Sequence, residues 1–380
     1  MTIASRGSES TPDICHVSSV HPWTDNRIYF RECESLSQAG YRVQLIAIES
    51  DVDVEPGQTK VVALPRVGRL RRLMTTVPKA LFLAFRSGAR VIHVHDPELV
   101  WAVPIGKLLR RKVVYDAHED LPAQVINKPY IPRSLRSVSV IAARFIVSIA
   151  KHSAWTISAT EAIAARFDPA RSSIVHNYPP LRPEEETIPK REDIAVYIGG
   201  MSAIRGTPEM LESVRTDRFP ASWRLEIAGS HAPDVARDVA LAAEETRIVF
   251  HGQVPPIVAR DLLLRARVGV VPFQDTAAHR DSLPTKMFEY FAAGLPVIVS
   301  NFDLWRDIIE TRDCGLVVDQ TSPSAIAEAI ATYAEDPALW LRHSNNARAT
   351  ARAELNWGVE AITLVSAYRG LLAPRPTPSQ

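Results

Sequence analysis

Apolar positions fall along this chain in short β-branched runs separated by amphipathic stretches. In the first half, the runs predict strands over 14–17, 43–48, 60–64, 91–94, 113–115, 155–157 and 173–175. Between them, apolar residues recur at helical spacing over 27–39, 70–86, 98–110 and 134–150, with Gly40 placed as a helix C-cap. The second half repeats the scheme, with strands predicted over 194–198, 224–228, 248–250, 268–271, 297–299 and 316–318. Helices are predicted there over 207–214, 235–245, 256–265, 285–293, 324–335 and 337–355. Continuously apolar strands alternating with helices mean parallel sheets covered on both faces. The fold class is therefore α/β, with two Rossmann-like doubly wound domains.

The break between the domains is compositional. Residues 178–193 pack four prolines and a charge run between two strand patterns, as an inter-domain linker does. The expected organisation is a first domain over 1–180, a linker over 181–193 and a second domain over 194–355. A helix over 356–372 and a Pro-rich tail over 373–380 complete the chain.

Composition narrows the class further. The 380 residues are 46% apolar and 23% charged, which excludes wholesale disorder. No uninterrupted apolar stretch reaches a membrane-spanning length. The N-terminus shows no apolar signal core and Asp13 comes early, so a cytoplasmic location is expected. Three cysteines, Cys15, Cys33 and Cys314, are too few and too scattered for a disulfide framework. The net charge of +1 conceals a basic first half, because 56–95 and 121–160 contain no acidic residue at all. Those stretches read either as solvated helix faces or as contacts to an anionic partner. Recognition patterns for nucleic acid do not occur. A peripheral position on the inner face of a membrane is the expected use of the patches.

In open parallel sheets, ligands bind beyond the carboxyl ends of the strands. There the sequence is chemically loaded. His21, Asp25 and Arg27 follow the first strand, His95 and Asp96 the fourth, and His118 and Glu119 the fifth. Single histidines of this kind often only hydrogen-bond inside a fold; the cluster as a whole reads as an acid/base and hydroxyl-binding site. His93-x-His95 is a possible ligand pair, but the spacing matches no strong metal signature.

The second half carries anion-binding features. Gly199 and Gly200 lead from a strand through a loop bearing Arg205. Ser282, Thr285 and Lys286 fall at a predicted helix start, and Glu289 lies one turn on, on the same face as Lys286. A phosphate near Lys286 would leave Glu289 beside an attached ribose.

The run Leu283-Pro-Thr-Lys-Met-Phe-Glu-Tyr-Phe-Ala-Ala-Gly-Leu-Pro-Val-Ile resembles the donor-binding signature of glycosyltransferase family 4. His21-Pro-x-x-Asp-x-Arg-Ile28, His95-Asp-Pro-Glu98 and Val114-Tyr-Asp-Ala-His-Glu-Asp120 resemble the first domain of one branch of that family. Asn356-Trp357 and the helix after it resemble the segment that crosses back to the first domain. The resemblance implies a GT-B architecture, with two Rossmann-like domains facing a central cleft. It implies transfer of a sugar from a nucleotide-diphosphate-sugar to an acceptor hydroxyl with retention, in polysaccharide or glycolipid synthesis. The acceptor would be a glycan, a lipid-linked intermediate or a small molecule.

By the same resemblance, Glu289 matches the acid that holds the donor ribose, and Asp281 replaces a glutamate that contacts the donor sugar. Arg205 matches the lysine that binds the diphosphate, Lys286 looks like a second phosphate-side residue, and Gly200 replaces a phosphate-binding arginine. Gly252, Gln253 and Val254 resemble the loop that reads the base. His118, with Asp25, lies near the transferred sugar. No bound metal and no cofactor beyond the donor are expected, Arg205 and Lys286 taking the electrostatic role. The rival readings are an epimerase of the same fold, a metal-dependent hydrolase built on the His/Asp cluster, and a non-catalytic nucleotide-sugar-binding protein.

Overall fold

A computed structural model describes residues 11–52, 54–122, 133–182 and 190–373. The central part of the expected linker, 183–189, and most of the expected tail, 374–380, lie outside these residues.

The chain divides into two compact units. The first comprises Met1–Asn177 and Val359–Gln380, and the second Tyr178–Gly358. The helix Trp357–Leu372 thus belongs mainly with the first unit, although the chain reaches it only after completing the second.

The first unit holds a seven-stranded sheet of β1 (Ile14–Pro22), β2 (Val43–Ile48), β3 (Lys60–Leu64), β4 (Val91–Val94), β5 (Lys112–Ala117), β6 (Trp155–Ser158) and β7 (Ser172–Ile174). Their order is β3-β2-β1-β4-β5-β6-β7, and every pairing is parallel. The second unit holds β8 (Ile194–Ile198), β9 (Arg224–Ala228), β10 (Ile248–Gly252), β11 (Val268–Val271), β12 (Val297–Ser300) and β13 (Gly315–Val318). Their order, β10-β9-β8-β11-β12-β13, is again all parallel. Both are Rossmann-like sheets, consistent with a GT-B architecture. Each reverses direction at one place: between β1 and β4 in the first unit, and between β8 and β11 in the second. Ligand crevices form at such switch points.

The central strands are mainly apolar because helices cover both faces, and the polar residues they carry, such as His16, His93 and Asp116, therefore stand out. On one face of the first sheet, Cys15, Val17, Ile92 and Val94 pack against Val77, Ala80, Leu81 and Ala84 of the helix Val77–Arg86. The core of the second unit gathers β8, β9, β11 and β12 around Trp223, Phe288, Tyr290, Phe291 and Trp305.

Helices differ more from expectation. The stretch read as one helix over 27–39 is a π-helical segment, Ile28–Cys33, running into a short α-helix, Glu34–Gln38. A second π segment, Arg72–Thr76, interrupts the stretch over 70–86. Such wide turns accommodate a residue that a regular ladder would not. The helix Asp303–Arg312 was not predicted. Leu304, Trp305, Ile308 and Ile309 give it an apolar face, but five charged residues in ten dilute the pattern. Among the described residues, no helix is long and apolar enough to cross a membrane.

Candidate functional site

In the first unit, the register of three adjacent strands builds the site. His16 of β1 stands beside His93 of β4, and β4 continues to His95. Alternation along a strand sends residues two apart to the same face, so His93 and His95 project together. On the neighbouring β5, Asp116 and then His118 follow the same alternation. Four imidazoles and a carboxylate therefore share one face of the sheet, near its switch point.

Asp116 is the centre of charge. Arg27 donates to both its oxygens, Nη2 to Oδ1 at 2.9 Å and Nε to Oδ2 at 3.2 Å, and donates from Nη1 to the Val175 carbonyl. His95 Nδ1 lies 2.9 Å from Asp116 Oδ2, and His118 Nδ1 lies 3.4 Å from the same oxygen. Burial alone would raise the Asp116 carboxyl, but the Arg27 guanidinium and the two imidazoles hold it well below the usual carboxylate range. In return, Asp116 raises His118 above the ordinary imidazole value despite its burial.

His21 sits above this layer. Its Nδ1 is 3.4 Å from Asp25 Oδ2, its Nε2 is 3.5 Å from Asp96 Oδ1, and its ring meets His118 edge-on with centroids 5.6 Å apart. Burial lowers His21, but Asp25 and Asp96 more than reverse this. Asp25 has a structural duty as well, since Oδ1 accepts from the backbone N–H groups of Arg27 and Ile28 at the start of the π segment. Burial opposes ionisation of Asp25, yet His21 and these N–H groups bring it down to about 2.

The acceptor-side candidates thus separate by depth. His21, Asp25, His118 and Glu119 reach solvent. Arg27, His95 and Asp96 are buried. Asp96 Oδ2 accepts from Ser18 Oγ, Ser19 N, Ser19 Oγ and Val20 N, so its visible work is to fix the turn within β1.

Beneath these groups lies an arrangement that the sequence did not reveal. Glu32, from the π segment, is fully buried, with Oε2 3.9 Å from His16 Nδ1 and 3.7 Å from His93 Nδ1. His16 Nδ1 is 2.9 Å from His95 Nε2. Ligand atoms of His16, Glu32, His93 and His95 all lie within 4.8 Å of one another. Burial, with Asp116 nearby, pushes the Glu32 acid well above its ordinary value, while burial and mutual repulsion push His16 and His93 well below theirs. Three neutral imidazoles and a carboxyl are a donor set for a divalent cation. The expectation that no metal has a place in this chain is therefore corrected: this cluster is geometrically compatible with metal coordination. Only the pair His93-x-His95 was visible in sequence; Glu32 and His16 arrive from elsewhere by folding. Asp116 and Tyr368, whose hydroxyl lies 2.7 Å from His93 Nδ1, were likewise not singled out.

In the second unit, the switch point lies between the loop after β8 and the loop after β11. Gly199 adopts φ +142°, and a Cβ there would stand 3.0 Å from Lys286 Nζ. A Cβ at Gly200 would stand 2.6 Å from Arg205 Nη1, which donates to the Gly200 carbonyl at 2.8 Å. The two glycines let two cations press against one turn of backbone. Tyr197 braces the turn: its hydroxyl donates to the Gly200 carbonyl at 2.9 Å and receives Lys286 Nζ at 3.4 Å.

Lys286, in the first turn of the helix Thr285–Ala292, is packed between aromatic faces, with Nζ 4.6 Å from the Phe273 ring centre and 4.8 Å from that of Tyr197. Desolvation and the nearby Arg205 charge lower it to about 7, Glu289 opposing them only in part. Glu289 lies on the same helix, where it is partly buried. His279 is near too; burial, Arg205 and Lys286 all lower it, and its Nδ1 lies 3.0 Å from the Gln274 carbonyl oxygen. Tyr197, Phe273 and His279 escaped the sequence reading, the first two because an aromatic residue in or beside a strand reads as core.

The other donor-side candidates surround this point. Ser282 donates from Oγ to the His279 carbonyl, and its own carbonyl receives the Trp305 indole N–H at 2.7 Å. Asp281 is exposed at the end of the short helix Ala277–Arg280. Thr285 opens the helix that carries Lys286. Gly252 ends β10, Gln253 and Val254 follow it, and a bond from Gly229 N to the Gly252 carbonyl at 2.7 Å ties them to the loop after β9.

Comparison with known proteins agrees with the fold. Residues 26–177 match the model described as Glycosyltransferase Family 4, and residues 192–336 match that described as Glycosyl transferases group 1. The chain is 30% identical over 157 residues to a lipopolysaccharide core biosynthesis mannosyltransferase of Rhizobium leguminosarum bv. viciae, a match covering 40% of this chain and 43% of the relative. It is 27% identical over 195 residues to a D-inositol 3-phosphate glycosyltransferase of Corynebacterium glutamicum, covering 49% and 45% respectively. The chain spans less than half the length of these curated relatives. Among solved structures, Anabaena HepE in complex with UDP and glucose superposes with a TM-score of 0.71 at 14% identity, covering 94% of this chain and 100% of that one. At that identity, the likeness is one of fold.

Proposed function

Related by sequence to glycosyltransferases and built on a fold consistent with GT-B, the chain is, we propose, a nucleotide-sugar-dependent glycosyltransferase. It transfers a sugar, with retention, from a nucleotide-diphosphate-sugar to an acceptor hydroxyl in polysaccharide or glycolipid synthesis. The observation that carries this reading is the pair of cations, Arg205 and Lys286, held against the glycine turn at the switch point of the second unit. A doubly charged leaving group needs that concentration of positive charge, and a turn without side chains lets it come close. Glu289 binds the ribose, Gly252, Gln253 and Val254 the base, and Asp281, Ser282 and Thr285 the remaining hydroxyl and phosphate oxygens.

The bond between the anomeric carbon and the diphosphate breaks, and the acceptor oxygen forms its bond on the same face. The acceptor proton passes to the departing phosphate oxygen. Arg205 and Lys286 stabilise the charge that develops there. In the first unit, His118 and Asp25, with His21 and Glu119, serve the sugar and acceptor side, while Arg27, His95 and Asp96 hold them in position. Anabaena HepE was solved with UDP and glucose, which makes UDP the first base to try.

The acceptor side is also proposed to rest on an anionic membrane. Leu70, Met74, Phe82, Trp101 and Leu108 are exposed on helices of the first unit, Leu70 by 77% and Leu108 by 82%. Exposed Arg69, Arg71, Lys79 and Arg86 accompany them. Apolar residues rimmed by basic ones are the pattern of an interfacial surface.

Calorimetric titration with UDP, GDP, ADP and dTDP, followed by product analysis with the matching sugars, tests the transferase. Tight binding of one diphosphate, weakened at least tenfold in Glu289→Ala and Lys286→Ala, is expected. Binding of none would overturn the reading. Epimerised sugar in place of transfer would convert it to the isomerase.

A further inference from the structure

We infer that His16, Glu32, His93 and His95 form a closed binding site for one zinc-like divalent cation inside the first unit. The inference stands apart from the transferase reading, since it concerns a buried layer that needs no donor.

The argument begins with groups left without hydrogen bonds. Both Glu32 carboxyl oxygens are buried and make none among the described residues, and Oε1 has only its ion pair with Arg27 at 3.1 Å; His16 Nε2 and His93 Nε2 are orphaned too, on the rings whose Nδ1 atoms face the carboxyl group. Burying that many polar atoms without partners is costly, and protein interiors avoid it. All four side chains are fully buried, so bulk water does not satisfy them.

The distances are those of a site awaiting an ion. Tetrahedral zinc with bonds of about 2.0–2.1 Å places its ligand atoms about 3.3 Å apart. Here Glu32 Oε2 is 3.7 Å from His93 Nδ1 and 3.9 Å from His16 Nδ1, while His16 Nδ1 is 2.9 Å from His95 Nε2. These three separations bracket the required value, and since all four ligand atoms lie within 4.8 Å of one another, side-chain rotation within the buried layer gathers them around one ion. His95 already has the partner that a zinc-binding histidine normally has: its Nδ1 is hydrogen-bonded to Asp116, which leaves the Nε2 lone pair to face the cluster. Three nitrogens and one oxygen suit zinc better than magnesium or calcium, which favour oxygen. No ligand position opens to solvent, which makes the ion structural: it ties β1, β4 and the π segment together beneath Asp116.

One neighbour competes with the ion. The Tyr368 hydroxyl lies 2.7 Å from His93 Nδ1 and occupies the lone pair the ion would use. Removing that hydroxyl therefore strengthens metal binding, whereas a cluster held together only by hydrogen bonds would be weakened by the same change.

The test uses the full chain, stripped with a chelator and titrated with Co2+ as a spectroscopic stand-in for zinc. One equivalent binding with the visible absorption of a tetrahedral nitrogen/oxygen site, displaced by Zn2+, is expected. Glu32→Gln should bind at least tenfold more weakly, Tyr368→Phe at least as tightly as wild type, and His118→Ala equally well. Absence of the absorption band in folded wild-type protein, with no rise in melting temperature on adding Zn2+, would overturn the inference whatever the variants do. A band that persists in Glu32→Gln at unchanged affinity would overturn the ligand set.

Discussion

Arg205 lies directly on Gly200: its Nη1 donates to the Gly200 carbonyl at 2.8 Å, and a Cβ on that glycine would stand only 2.6 Å from the same nitrogen. An arginine side chain at position 200 would thus collide with the one at 205. Lys286 brings a second positive charge to the same turn from another element. Gly200→Ala is the minimal probe. It forces the guanidinium off the turn without touching the core, so diphosphate affinity should fall about tenfold while the melting temperature stays within a few degrees. Calorimetry and thermal unfolding measure the two together. Unchanged affinity would mean that Arg205 has no part in holding the phosphates.

Lys286 is a charge kept at a cost. Burial and Arg205 bring it to about 7, below the 10.5 of a free lysine. Between those values, the unfolded chain holds a proton that the folded chain has lost, so this group makes stability rise with pH over that window. Below about pH 7 both states are protonated, and the full penalty, on the order of a few kcal/mol, remains. Lys286→Met should accordingly raise the melting temperature, more at pH 6 than at pH 9, while weakening diphosphate binding. A phosphate beside the amine restores its proton. Wild-type binding near pH 8 should therefore take up protons, seen as a calorimetric enthalpy that varies with buffer ionisation heat. The dependence should vanish in Lys286→Met.

Much of this was legible in the residues themselves. The strand runs Val43–Ile48 and Val268–Val271 are mainly apolar because both strands are buried along their length, while Lys60–Leu64 is a half-exposed edge strand; the ends of all three coincide with the pattern. The site's polar groups were legible for the opposite reason: histidine and aspartate at the end of an apolar strand need an explanation. What local pattern could not supply is partnership across distance. His93 meets Tyr368 from 275 residues further along the chain, and Glu32 reaches the cluster from a π turn that no helical periodicity distinguishes. The metal question turned on His16 and Glu32 joining the His93 and His95 pair, so sequence spacing alone pointed the wrong way.

Arg27 and Asp116 form a buried bidentate pair, and breaking it should be expensive. Asp116→Asn leaves the Arg27 charge buried beside a neutral amide and removes the partner of His95 and His118. A loss of about 3–5 kcal/mol is expected. The double variant Arg27→Met with Asp116→Asn removes both charges together. It should recover part of that loss, because the buried guanidinium charge that Asp116→Asn leaves uncompensated is gone. Denaturant unfolding of wild type, Arg27→Met, Asp116→Asn and the double variant gives the comparison, and a double variant as unstable as the sum of the single changes would show that the pair is not coupled.

The exposed apolar and basic residues on the helices Arg69–Arg71 and Val77–Arg86 make a separable prediction. Leu70, Met74 and Phe82 lie outside the packed core, so their replacement should leave stability nearly unchanged. On an anionic bilayer they would insert while Arg69 and Arg71 pair with headgroups, each basic residue contributing about 1 kcal/mol. Arg69→Glu with Arg71→Glu should therefore weaken sedimentation with phosphatidylserine vesicles by at least tenfold and reduce its salt sensitivity, Lys79 and Arg86 remaining. Leu70→Ser with Phe82→Ser should weaken it while leaving the salt dependence intact, because the electrostatic contribution remains. Equal binding of wild type to neutral and anionic vesicles would contradict the electrostatic part of the argument, and equal binding by all variants would remove this face as the docking surface.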